Sequence, residues 1–546
     1  MTPEALPGFV PWPDDLATRY RRDGLWEGLT IDRMVARTAA RTPDRIALVA
    51  GEQRIDYRSL VAQVEQLAAR LHALGLGARD RVVMQLPNGA NFVLTYLALT
   101  RIGAIPVMAL RAHRHKEVRH FIAASQASAY VIPDVVNRFD YRDMATEMQR
   151  EFDHLRVVLV DGEPGAGQTA LGPLIAERQE TPPAPPRPDP GEIATMLLSG
   201  GTTSVSKLIP RTHEDYVLNA RLCGAAGGFG PDTVFMAILP LGHNYNLASP
   251  GMLGTFYHGG TVVLSPGTDA DSVFALVERE RVSVIAAAVP LIANWLNTDA
   301  ERRHDLGSLR VIQNGGARLA PELRSRLRER FGCIPQEIYG TAEGLINMVP
   351  LDAPDALLLE SSGCPVSPLD EIEVIDDDGK PVADGEPGEL VTRGPYMMRG
   401  YFDAPTKNAE AFTADGFYRM GDIVRKRGRY VYTEGRRKDI INRGGEKISC
   451  DEVENLIFAH PKVKAVTLVA MPDPIFGEKA CACVVPRPGE TLGFDELIEF
   501  LRAQRIASFK LPERLELMTE FPVSPVGKIL KRELREMVAA KLAAGD

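Results

Sequence analysis

Leu197-Leu-Ser-Gly-Gly-Thr-Thr-Ser-Val-Ser-Lys207, continued by Leu208-Ile-Pro-Arg-Thr-His213, is the stretch from which the fold of this chain can be read. Its apolar lead-in, Ile193 to Leu198, has strand character and runs into two glycines, a group of hydroxyl side chains and Lys207. Glycines let backbone N–H groups turn toward a common centre, and hydroxyls and an ammonium add donors suited to phosphate oxygens. Phosphate binding at Ser199, Gly200, Gly201, Thr202, Thr203 and Lys207 is the first expectation.

Other loops share part of this chemistry. A Walker A loop ends Gly-Lys-Ser/Thr, whereas Ser206 precedes Lys207 here and Leu208 follows it. Ser204-Val-Ser-Lys207 fits the Ser-x-x-Lys of serine β-lactamases, but their Ser-Asp-Asn and Lys-Thr-Gly companions are absent. Read by itself, the segment is also compatible with a plain flexible loop.

Outward from the loop, helical and strand patterns alternate. Leu60 to Leu74 repeats apolar residues at helical spacing, Arg81 to Leu86 reads as a buried strand, Asn91 to Arg101 as a helix and Ala104 to Leu110 as a strand. Thr181 to Pro190 is proline-rich and reads as a stiff linker. Beyond the loop, Thr233 to Leu239, Gly260 to Leu264 and Val282 to Ala287 read as strands, with a helix over Ala270 to Glu280. Such alternation predicts parallel-rich sheets covered by helices. Past residue 370 the strands Glu371 to Ile375, Gly388 to Thr392 and Tyr430 to Tyr432 are short and separated by Asp/Gly turns, which predicts a small β-subdomain. The expected fold is α/β. Residues 1–436 form a large multi-lobed N-terminal domain, and 437–546 a small α+β C-terminal domain.

Composition narrows the class. The 546 residues are 45% hydrophobic and 25% charged, as in soluble globular proteins. A net charge of −9 without a basic stripe argues against nucleic acid as a partner. The most apolar run, Val282 to Leu296, is interrupted by Pro290 and is shorter than the ~20 residues of a membrane span. The N-terminal residues lack a basic segment followed by an apolar core, and the six cysteines have neither zinc nor disulfide spacing, so a cytoplasmic location is expected.

Further segments accompany the glycine loop in a fixed order. Gln313-Asn-Gly-Gly-Ala317 follows the strand-like Leu309 to Ile312. Tyr339-Gly-Thr-Ala-Glu-Gly344 puts an aromatic face, a hydroxyl and a carboxylate within one turn. Tyr418-Arg-Met-Gly-Asp422 leads to Glu434-Gly-Arg436 and to Asn442-Arg-Gly-Gly-Glu-Lys447, and Pro525-Val-Gly-Lys528 comes near the end. This set resembles the adenylate-forming superfamily of acyl-CoA synthetases, luciferases and peptide-synthetase adenylation domains. Gly8-Phe-Val-Pro-Trp-Pro13, Gly242-His-Asn-Tyr245 and Lys438-Asp439 make it similar, more narrowly, to stand-alone aryl-acid–AMP ligases of siderophore biosynthesis, which activate 2,3-dihydroxybenzoate or salicylate.

The resemblance implies two steps, an aryl-AMP made from ATP and then displacement of AMP by a thiol. It implies that Ser199 to Lys207 cradle the β- and γ-phosphates and that Glu343 holds Mg²⁺. It implies that Tyr339, with Gly340 and Thr341 after it, stacks on adenine beside Gly315 and Gly316. Asp422 accepts from both ribose hydroxyls, and Arg436 lies against the ribose-phosphate. Lys528 bridges the substrate carboxylate and the α-phosphate, and His243 stands with Lys528 and Glu343 among the catalytic candidates. A hinge at Lys438 then brings the Arg443-Gly444-Gly445 loop to a phosphopantetheine tunnel. The implied acceptor is an aryl carrier protein in trans, with free CoA as the alternative. A catalytically idle adenylate-binding protein is the rival of another class.

For the acid, the resemblance implies that Asn244 meets the 2-hydroxyl, Tyr245 forms a wall, Ser249 approaches a 3-substituent, and Ile338 and Ile346 sandwich the ring. Several residues depart from the family pattern: Ser204, Asn246, Val289, Asn314, Thr341 and Met420. Asn314 is expected on the pocket floor, its amide bonded to substrate, to Asn246 or to water, because an unpaired buried amide is costly. An acid with an extra polar atom, such as an aminosalicylate or a hydroxypicolinate, is therefore a further expectation.

Overall fold

A computed structural model describes the chain apart from residues 1–4, 177–182, 184, 200–205, 437, 438, 444, 445, 474, 505, 507, 525–527, 545 and 546, and apart from the side chains of 436, 442, 446 and 447. The proline-rich segment falls partly outside the described residues.

Two large sheets dominate the N-terminal part. The first has nine strands in the order Cys364–Pro365, Ile346–Met348, Ile334–Gly340, Val311–Gly315, Val284–Ala287, Val234–Ala237, Thr261–Leu264, Ile46–Ala50 and Gln53–Asp56. Pairing from Ile334–Gly340 through Ile46–Ala50 is parallel, and the outer strands are antiparallel. The second has seven strands, with Leu208–Thr212 antiparallel at one edge to Ile193–Leu198 and parallel pairing across the rest. Val, Ile, Leu and Met fill these strands because both faces are covered.

Local sequence explains the helices between them. Tyr57–Ala73 starts at Asp56, whose carboxylate accepts from Ser59 N at 2.6 Å, and buries Leu60, Val64, Leu67 and Leu71 along one stripe. Ala90–Arg101 is buried at every residue but Asn91, as suits a helix with sheets on both sides. His213–Ala226 begins with a reciprocal cap between Thr212 and Asp215. One continuous core joins these helices to strands of both sheets, including Leu48, Val262, Met84 and Leu197.

The expected β-subdomain is a four-stranded antiparallel sheet, Glu371–Ile375, Pro387–Arg393, Tyr418–Arg427 and Tyr430–Arg436. Residues 441 onward build a separate five-stranded sheet around Val463–Asp473 and Gly477–Pro486, with its own core of Ile441, Val453, Leu468, Val484 and Leu497. This C-terminal unit touches the N-terminal part through Phe458, which packs against the core that contains Trp295 and Phe274. It also reaches across with Arg487, whose Nη1 donates to Asn297 Oδ1 at 2.9 Å.

Candidate active site

The glycine loop leaves one strand and enters the next at a pinned neck. Lys207 N donates to Ser199 Oγ at 2.9 Å and Ser199 N to Lys207 O at 3.0 Å. Gly200, Gly201, Thr202 and Thr203 lie outside the described residues. Lys207 Nζ sits 4.3 Å from the centre of the Tyr401 ring. The Tyr401 hydroxyl in turn donates to Glu343 Oε1 at 2.8 Å and lies 2.9 Å from that of Tyr418. Loop cation and buried carboxylate therefore meet on one tyrosine, which no sequence motif marked. Arg211 fixes the segment before Glu343: fully buried, it pairs with Asp215 at 2.8 Å and donates to the carbonyls of Ala342 and Tyr396, each at 3.0 Å.

Tyr339 ends the strand Ile334–Gly340, and its hydroxyl donates to Asp422 Oδ2 at 2.7 Å, joining the large sheet to the β-subdomain. Gly340 and Thr341 follow directly, and Thr341 N donates to Leu345 O in the turn that carries Glu343. The backbone of Arg436 pairs opposite Asp422.

Gly315 and Gly316 face different neighbours. A Cβ on Gly315 would lie 3.0 Å from the Tyr245 ring, so only glycine lets that ring close on the strand. Gly316 has φ +87, and a Cβ there would lie 3.5 Å from Lys528 Cε. Lys528 is thus at the site. Its N–H donates to Ser524 Oγ at 3.1 Å and its carbonyl accepts from Ser524 N at 2.7 Å. Its charge reaches His243. Burial, aided by the Lys528 ammonium, pushes that imidazole down to about 4, so it is neutral at pH 7. His243 Nδ1 accepts from Tyr245 N at 3.3 Å at the start of the short helix Asn244–Ala248.

Asn244 and Ser249 share one polar network. Tyr216 O–H donates to Asn244 Oδ1 at 2.8 Å, and Asn244 Nδ2 donates to Ser249 Oγ at 3.1 Å. Asn219 Nδ2 donates to the same oxygen at 3.0 Å. Tyr216 and Asn219 come from the helix His213–Ala226, and the sequence reading had not included them. Strand register puts Ile338, Gly340 and Ile346 on one face, with Ile338 beside Gly315.

Asn314 corrects the sequence expectation. Neighbouring strand residues point to opposite faces, so a side chain next to Gly315 turns away from Tyr245. Asn314 Nδ2 donates to Glu337 Oε2 at 2.9 Å and to Ala317 O at 2.8 Å and not to Asn246, while its Oδ1 has no partner among the described residues. Asn246 is fully buried, and neither of its amide atoms has a partner among the described residues. Arg443 stays within the C-terminal unit, donating to Glu513 at 2.8 Å and covering the Phe476 ring. Lys438, Gly444 and Gly445 lie outside the described residues, as does the side chain of Arg436.

Residues 35–402 match the family described as AMP-binding enzyme, and residues 452–528 match the AMP-binding enzyme C-terminal domain. The chain belongs to the AMP-binding enzyme family. It is 44% identical to a 2,3-dihydroxybenzoate-AMP ligase of Bacillus subtilis (strain 168), over 99% of each chain. It is 41% identical to a salicyl-AMP ligase / salicyl-S-ArCP synthetase of Mycobacterium tuberculosis, over 97% of this chain and 94% of the relative. Among solved structures it is similar to Mycobacterium smegmatis MbtA in its apo form, with TM-score 0.75 and 37% identity over 97% of this chain and 98% of that one. Among the described residues of this AMP-binding enzyme, no helix is long and apolar enough to cross a membrane.

Proposed function

We propose that this AMP-binding enzyme is a cytoplasmic, ATP-dependent aryl-acid ligase. It joins an ortho-hydroxylated aryl acid (salicylate, 2,3-dihydroxybenzoate or a heteroaryl relative) to AMP, then passes the aryl group to the phosphopantetheine thiol of a carrier protein. In the first step a carboxylate oxygen bonds to the α-phosphorus as the α–β bridging P–O bond breaks and pyrophosphate leaves. In the second the thiol gives up its proton, sulfur bonds to the acyl carbon, and AMP departs with the C–O bond pair.

The observation that carries this reading is Lys528 beside Gly316, next to the glycine that the Tyr245 ring closes on. Two anions must meet for the first step, and a positioned cation offsets the charge where their bond forms. Neutral His243 leaves that cationic role to Lys528 and sets the start of the helix bearing Asn244. Asn244, held by Tyr216 and Ser249, keeps a second N–H for an ortho oxygen. Ser199 and Lys207 take the terminal phosphates, and Asp422 takes the ribose. Glu343, an oxygen donor at the same place, would hold Mg²⁺, which when bound neutralises phosphate charge. Lys438, just past the boundary at residue 436, acts as the hinge between the two steps.

ATP–pyrophosphate exchange across a panel of aryl and amino acids tests the reading. Exchange is expected with ortho-hydroxy aryl acids and not with amino acids. An enzyme that exchanges with no aryl acid would sink it. Transfer to free CoA but to no aryl carrier protein would replace the second step.

A further inference from the structure

Behind Gly315, on the face of the sheet away from Tyr245, lies a buried charged cluster that the two reaction steps do not use. Glu337 is 3% exposed, Asn314 1% and Arg324 0%. Arg324 Nη2 is 2.9 Å from Glu337 Oε2, a charge contact without hydrogen-bond alignment. Burial raises the Glu337 carboxyl and lowers the Arg324 guanidinium, and each charge offsets the other's desolvation.

Arg324 Nη1 anchors the cluster to the carbonyls of Leu358 at 3.2 Å and Ser361 at 2.9 Å, and three further bonds meet on one backbone segment. Asn314 Nδ2 donates to Ala317 O at 2.8 Å, Leu319 N donates to Glu337 Oε2 at 3.3 Å, and Arg324 Nε donates to Leu319 O at 2.9 Å. The segment begins at Gly315-Gly316, which has no side chain to pack and takes a left-handed φ at Gly316. Its position must therefore come from outside. Glu337 also shares a strand and a face with Tyr339, two residues on, so one end of the cluster is fixed relative to that ring. A buried ion pair contributes little to stability compared with apolar packing, whereas its fixed geometry suits a positioning task.

We propose that Asn314, Glu337 and Arg324 form a clamp that sets the Gly315–Leu319 turn against Tyr339, making them positioning residues for the adenine of ATP. This rests on the reading of Gly315, Gly316 and Tyr339 as the adenine subsite.

The test compares wild type, Asn314→Val and Glu337→Gln. It measures ATP binding by calorimetry without acid, the separate KM values for ATP and salicylate in pyrophosphate exchange, and thermal unfolding. Asn314→Val is expected to weaken ATP binding by roughly 5- to 20-fold, the effect of one lost anchor, with the salicylate KM within about twofold of wild type. Glu337→Gln, which leaves Arg324 without its counter-charge, is expected to weaken ATP more. Unchanged ATP affinity in Asn314→Val overturns the clamp, as does a shift confined to the salicylate KM. A fall in kcat or Tm with both KM values intact also overturns it. Because Asn314→Val leaves no unpaired charge, it decides the matter even where Glu337→Gln does not fold. Calorimetry needs no acid, so a wild type that binds ATP yet exchanges with no aryl acid fails the proposed function and leaves the clamp testable.

Discussion

Tyr401 donates its hydroxyl to Glu343 at 2.8 Å and offers its ring face to Lys207 at 4.3 Å. One side chain thereby fixes the spacing between the cation of the glycine loop, Lys207, and the carboxylate of Glu343. The contact is buried, since Glu343 is 8% exposed and Tyr401 2%. A hydrogen bond to a charged group is worth about 1.5–3 kcal/mol. Tyr401→Phe keeps the ring under Lys207 and removes only that bond. Its kcat/KM for ATP is expected to fall roughly 10- to 100-fold, by the same range. If Glu343→Gln and the double variant fall further by independent factors, the two residues do not act as a unit and the relationship has no functional weight.

Lys528→Ala should abolish adenylation and spare the fold. The ammonium is needed only as the new P–O bond forms, and removal of one such positioned group costs on the order of 10²–10³ in rate. Thioester formation from a pre-made aryl-AMP should proceed at close to the wild-type rate, because charge at the α-phosphate is no longer developing. Single-turnover measurement of each half-reaction separates the two. Equal loss in both would assign Lys528 to the scaffold.

Which parts of this were legible in the sequence follows from chemistry. Ser199, Lys207, Glu343, Asp422 and Lys528 stand in short motifs whose residue types match phosphate, ribose and carboxylate, and the structure brings Lys207 and Glu343 onto one tyrosine and Lys528 beside Gly316. The β/α alternation also translated directly into parallel sheets, because fully buried strands are apolar throughout. Tyr401, Tyr216 and Asn219 were not legible, since each acts across the fold and sits in no motif, while Arg211, although part of the opening motif, reaches the carbonyls of Ala342 and Tyr396 far along the chain. Asn314 was misread because adjacency to Gly315 suggested a shared pocket, whereas strand alternation sends the two residues to opposite faces. The Asn314–Glu337 register pair carries that correction.

Acid should destabilise the fold through His213, which is buried, and His113 and His243, which are partly buried. Burial pushes the imidazoles of His113 and His243 down to about 4 and that of His213 to about 3. Each folded value lies below the ordinary value near 6.5, so between them the unfolded chain binds more protons and stability falls as pH falls. The contribution is complete above about pH 6.5 and is lost on approach to pH 4. For His243 it amounts to roughly 3 kcal/mol. Thermal unfolding midpoints should therefore drop from pH 6.5 to 4.5, and His243→Asn should flatten that slope by about one proton. In Lys528→Ala the His243 imidazole should titrate at higher pH, because the second cause of its depression is gone. An unchanged slope in His243→Asn, or no shift of that imidazole in the Lys528 variant, contradicts the assignment.

With Asn244 and Ser249 lining the acid pocket, as proposed, their polar network predicts a preference between mono- and dihydroxylated acids. Ser249 Oγ already accepts from Asn219 Nδ2 at 3.0 Å and from Asn244 Nδ2 at 3.1 Å, which uses both of its lone pairs. A 3-hydroxyl can therefore donate to Ser249 only by displacing one of these donors. Asn219 also donates to Ala248 O at 2.8 Å, so it has little freedom to yield. Salicylate, with nothing at that position, leaves the network whole. Wild type is therefore expected to favour salicylate over 2,3-dihydroxybenzoate in kcat/KM. Asn219→Ala frees one lone pair of Ser249 for a ring hydroxyl, and the preference should narrow about fivefold, as one neutral hydrogen bond near 1 kcal/mol implies. Asn219→Asp serves as the control. It keeps the size of the side chain but no longer donates to Ser249, and its carboxylate repels the acid, so activity on both substrates should fall together. A ratio of the two acids that stays fixed in Asn219→Ala would show that the ring never meets Ser249. Discrimination at the 3-position would then rest with the apolar walls, Ile338 and Ile346, where Ile338→Val is the variant to measure next.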